Sequence, residues 1–124
     1  MGHAVSTPAA RQGKLFRAVD HFTVEAFKAA RSMDRLEGGD LARELRRLCS
    51  ASGGALVAAS SMIRGGEEEG RLLATTRTWL MEARYYLYLA RRLGFLEHRR
   101  YRQLTAIQDV AVREVEAVMR CGSA

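Results

Sequence analysis

The chain has 124 residues, 48% of them hydrophobic, which suits a single domain with one ordinary core. Its net charge is +6, and 18 of its 20 basic residues are arginine; that bias fits a phosphate-bearing partner or, equally, a GC-rich genome. Two cysteines, Cys49 and Cys121, exclude a disulfide framework, and no apolar run nears the roughly 18 residues of a membrane span.

The opening stretch, MGHAVSTPAARQG, has no continuous apolar segment and does not read as a signal peptide, so a cytoplasmic protein with reduced thiols is expected. Residues 1–12 read as a flexible N-terminal tail, with Thr7 and Pro8 suited to a helix cap and first turn. Residues 13–121 read as one four-helix bundle. In helix 1, Leu15, Phe16, Val19, Phe22, Ala26, Phe27, Ala30 and Met33 are spaced by threes and fours, and Gly38-Gly39 ends the run.

Asp40 suits the N-cap of helix 2. Its seam is Leu41, Leu45, Leu48, Ser52, Ala55, Ala59 and Met62, with Cys49, Leu56 and Ile63 alongside. The seam keeps phase across Gly53-Gly54, which predicts a continuous helix approached closely there by a neighbour. Helix 3 starts with Glu67, Glu68 and Glu69 and ends with Arg91, Arg92 and Gly94, each favourable to the helix dipole or the cap at its end. Helix 4 carries Tyr101, Leu104, Ile107, Ala111, Val115, Val118 and Met119. Short loops between helices of about 20 residues predict an all-α, antiparallel up-down bundle.

Reaction chemistry is not legible in the chain. A di-iron bundle needs Glu-x-x-His pairs, and none of His3, His21 and His98 follows a glutamate at that spacing. Ser50, Ser52, Ser60 and Ser61 have no histidine nearby in sequence, and the glycine pairs form no phosphate-binding loop. Cys49 reads as a small buried hydrophobe. A non-enzyme without metal or cofactor is expected.

Helix 3 carries the binding signals. Leu73, Thr76, Leu80, Ala83, Leu87 and Ala90 form its core stripe. Leu72, Trp79, Tyr86 and Leu93, with Leu89, widen the apolar face beyond one seam, as a self-association surface would. Along the opposite flank Arg77, Arg84 and Arg91 recur every seven residues, with Tyr88 and Arg92 beside them, Arg43, Arg46 and Arg47 on helix 2, and Arg99, Arg100 and Arg102 at the entrance of helix 4. Such a rail can grip phosphates while tyrosine stacks on bases; a solvated flank paired with Glu44, Glu82 and Glu114 is the plainer account. Oligomerisation would repeat the rail and multiply weak contacts.

Leu45-Arg46-Arg47 ahead of a small-residue helix, and the run Leu87 to Leu96 followed by Tyr101 and Leu104, resemble a bacterial four-helix-bundle family. That family was first noticed as products of intervening sequences in 23S rRNA genes, and a related branch is the accessory variability determinant of diversity-generating retroelements. Arg84-Tyr85 ahead of Leu87 and Leu89-Ala90 is closer to the second branch. The resemblance implies a five-fold, ring-shaped homo-oligomer with a basic surface that binds RNA or cDNA and assists a reverse transcriptase. An rRNA-insert relative of unsettled role, or a structural bundle without nucleic acid, are the alternative expectations.

Overall fold

The computed structural model describes residues 8–122, which form four helices: α1 (Pro8–Arg35), α2 (Gly39–Ser60), α3 (Glu67–Arg92) and α4 (His98–Gly122). Each helix packs against two neighbours in the order α1, α2, α3, α4 and back to α1, an up-down bundle around one core. Helix α1 begins at Pro8, so residues 8–12 are helical, whereas the apolar spacing alone places them in the tail. Thr7 lies outside the described residues. Among those residues no helix is long and apolar enough to cross a membrane.

The core follows the apolar spacing closely. All six residues of the α3 stripe are buried, and so are Leu15, Val19, Phe22, Ala26, Ala30 and Met33 of α1. Phe16 and Phe27 depart from the expectation, at 51% and 37% exposed, because each stands one position past a core residue and turns off the stripe. Met62 and Ile63 also leave the core: α2 ends at Ser60, so both fall in the following loop, and Ile63 is 84% exposed.

Helix α2 runs unbroken through Gly53-Gly54, as its phase predicts. The predicted close approach is absent: a Cβ added at either glycine would meet no atom within 4 Å. Asp40 is not the N-cap either. Gly38 holds that position without a side-chain bond, and Asp40 acts from the first turn, where negative charge suits the dipole.

Two turns at one end fix how the helices meet. After α1, the Gly38 N–H donates to Met33 O (2.8 Å) and the Glu37 N–H to Asp34 O (3.3 Å). After α3, the Phe95 N–H donates to Ala90 O (2.8 Å) and the Gly94 N–H to Arg91 O (3.2 Å). Both are the paired carbonyl closures that end helices on a left-handed residue. Gly94 fills that position in the second turn (φ 83°), but Glu37 fills it in the first (φ 69°). The reason lies one residue on, where a Cβ on Gly38 would come 2.9 Å from the Phe95 ring. Gly38 is spent on letting the two turns touch.

At the other end Glu69 is buried. Its Oε1 accepts the Gly65 N–H (2.9 Å) and its Oε2 accepts Gln12 Nε2–H (3.2 Å), tying the start of α3 to the start of α1.

Candidate nucleic-acid interface

The arginine rail divides into two parts. Arg77 Nε donates to Glu116 Oε2 of α4 (2.7 Å). Arg84 makes three contacts with α4: Nε to Gln108 Oε1 (2.6 Å), Nη2 to Thr105 O (3.2 Å) and Nη2 to Asp109. Gln108 is 2% exposed, and its Nε2 donates to Leu80 O (2.8 Å). A seven-residue spacing keeps these arginines on the flank of α3 that meets α4, and α4 presents acceptors there. Arg77 and Arg84 therefore clamp two helices and do not form a free rail.

Arg91, one step further, faces aromatic rings. Its guanidinium carbon lies 4.9 Å from the Tyr101 ring centre and 5.6 Å from that of Tyr88, within cation–π range. Its Nε is buried without a hydrogen-bond partner. Arg92 lies 5.8 Å from the Tyr88 ring centre and donates from Nη1 to Tyr88 Oη (2.9 Å). Rings continue on both sides. Tyr85 and Tyr88 are near-parallel at 6.5 Å, and His98 and Tyr101 at 6.4 Å. Tyr85 is 57% exposed.

The helix 2 arginines are partly engaged. Arg46 pairs with Asp34 (2.5 Å), Arg47 with Glu44 (3.0 Å) and Arg43 loosely with Asp40 (3.9 Å). The Glu44 hydrogen bond raises the Arg47 pKa further, so that guanidinium stays charged. All three sit at the end bearing the α1–α2 and α3–α4 turns. Residues 31–47 and 88–103, which build that end, hold ten arginines against five acidic residues, Asp34, Glu37, Asp40, Glu44 and Glu97. Arg31, Arg35, Arg92, Arg99 and Arg102 are exposed there and form no ion pair among the described residues. An open groove of about 440 Å³ lies at this end, lined in part by Leu36, Phe95, Arg99, Arg100 and Gln103. One of its arginines is already committed, since Arg100 Nη2 donates to Glu25 Oε1 (2.8 Å) and joins α4 to α1.

The widened apolar face is only partly free. Leu72, Trp79 and Tyr86 are half-buried and pack on the core, and Leu89 is half-buried. Glu82, on the same helix, adds negative charge near Arg47 of α2, which places that edge of α3 toward α2. Leu93 is 60% exposed at the turn, with Met81 (48%) on the same helix.

Sequence reasoning about the site included Arg99 and Arg102 but left out Tyr85 and His98 and read Tyr101 as core. The signal was present as two aromatic pairs at i,i+3 spacing, Tyr85/Tyr88 and His98/Tyr101. Among the described residues no three of His, Cys, Asp and Glu gather as a metal site would require. No protein-family model, no curated protein and no solved structure matches this chain.

Proposed function

We propose that this protein is a non-enzymatic, basic four-helix bundle that binds RNA or DNA through the end formed by its two touching turns. The observation that carries this reading is the gathering there of exposed guanidiniums that form no ion pair among the described residues: Arg31, Arg35, Arg92, Arg99 and Arg102. Phosphate binding releases counterions, so several free arginines on one surface give sequence-independent, salt-dependent affinity. The family resemblance extends the proposal to a ring-shaped homo-oligomer, a pentamer, acting beside a reverse transcriptase. In such a ring Leu93 and the outer edges of Trp79 and Tyr86 would meet a neighbouring subunit.

Charge-neutral replacement of free arginines tests this. In R92Q/R99Q/R102Q, affinity for a labelled RNA strand should fall, and the slope of log affinity against log salt should flatten by about 2. Sedimentation of the purified protein tests the ring, and a monomer at micromolar concentration counts against it. A second reading has its own observation: nine intramolecular ion pairs absorb much of the charge among the described residues. A structural bundle that partners a protein needs no free polyanion site, and it gains if no salt-dependent binding is found.

A further inference from the structure

We infer that the site selects unpaired strands, by stacking bases on a ladder of rings and guanidinium formed by Tyr85, Tyr88, Arg91, Tyr101 and His98. The inference rests on the nucleic-acid reading and adds the form of nucleic acid that is recognised.

The ladder crosses from α3 to α4 without a break. Tyr85 and Tyr88 are 6.5 Å apart with ring planes 25° from parallel, and His98 and Tyr101 are 6.4 Å apart at 26°. Arg91 joins the pairs, 5.6 Å from Tyr88 and 4.9 Å from Tyr101. An unpaired base can stack on the exposed face of a ring at either end of this ladder. Tyr85 and His98 are exposed and open the ladder to solvent at both ends.

The surroundings favour a polyanion. Arg92 is held at Tyr88 Oη, and Arg99 and Arg102 flank His98 and Tyr101 in sequence. The nearby acids are Asp109, which Arg84 neutralises, and Glu97, which precedes His98. Arg91 is half-buried with its Nε shut off from partners, so its role is to hold the two ring pairs in one surface. Aromatic faces discriminate because every unpaired base exposes a π-face, whereas bases in a duplex are already stacked.

The test compares a labelled oligothymidylate of about 20 nucleotides with a blunt duplex of the same length, by anisotropy at low salt. The strand should bind more tightly. Y85A should weaken strand binding on the order of tenfold, leave duplex affinity unchanged and keep the salt slope, and Y85F should retain affinity. Tyr85 is exposed, so this variant keeps the fold. If Y85A and Y88A both leave strand affinity intact while R92Q/R99Q/R102Q lowers it, the ladder is refuted and the arginine site survives. Duplex binding as tight as strand binding also refutes the ladder alone. If neither probe binds, both the ladder and the proposed function fall.

Discussion

Replacing Arg84 with methionine keeps the apolar stem of the side chain and removes its guanidinium. The main loss is the bond from Nε to Gln108 Oε1, 2.6 Å long, to a residue 2% exposed. A buried acceptor left without a donor costs about 1–3 kcal/mol. The Asp109 partner is half in water (51% exposed), so that ion pair adds no more than about 0.5 kcal/mol. Arg84→Met should therefore destabilise the bundle by about 2 kcal/mol, moving the urea midpoint down by about 1 M for a slope of 1–3 kcal/mol per molar. Circular dichroism at 222 nm follows the transition, and the slope should not change. Adding Gln108→Leu to R84M removes the orphaned acceptor and should recover about half of the loss, because two apolar partners leave nothing unsatisfied. A loss under about 0.5 kcal/mol in R84M would refute the clamp. Arg84 would then be free to serve a ligand.

The first turn offers an opposed pair of changes. Glu37→Gly relieves a left-handed backbone and should stabilise the protein by about 1 kcal/mol; Gly38→Ala sets a Cβ 3.1 Å from the Met33 carbonyl oxygen and should destabilise it by about 1–3 kcal/mol, both read from thermal melts. The Arg100 hydrogen bond, then that of Lys28, holds the Glu25 carboxyl below its ordinary value of 4.5. A carboxylate whose pKa is lowered on folding contributes stability above its unfolded pKa and loses it as pH falls through the folded one. Glu25→Gln should therefore be less stable than the parent by about 1 kcal/mol at neutral pH, with the gap closing below about pH 4.5. Burial pushes the Cys49 thiol up to about 12, whereas Cys121 is exposed, so a thiol reagent near pH 8 should titrate one cysteine per native chain and two in denaturant.

How far these features are legible in sequence depends on the distance between partners. The α3 stripe is read correctly at every position because helical spacing is a local property, and the glycine of the second turn is read from its place after Arg91-Arg92. The clamps are invisible in the same way that they are decisive. Gln108 bonds to Leu80 O across 28 residues and Glu69 to Gln12 across 57, so neither of these long-range bonds has a local signature. The arginine flank was legible as a flank but not as a site. Periodicity states which residues share an edge of a helix, and in a four-helix square each edge meets a neighbour whose residues decide the outcome. Gly53 and Gly54 are a different case: continuity of α2 followed from phase, while the expected neighbour is absent and the glycines face open space.

Where the clamps lie also bears on where a polyanion can bind. A strand laid along the Arg77–Arg84 edge would have to draw those guanidiniums away from Glu116, Gln108 and Asp109, and the cost of an orphaned Gln108 would be subtracted from its affinity. A strand on the turn end meets Arg92, Arg99 and Arg102, which have no carboxylate to surrender. The two placements respond oppositely to one substitution. Gln108→Leu loosens Arg84 without touching the turn end, so it raises affinity if binding runs along the edge and leaves affinity unchanged if binding is confined to the end. The guanidiniums outside any ion pair and the rings of Tyr88, His98 and Tyr101 coincide at the end, and that coincidence favours the second placement over the first.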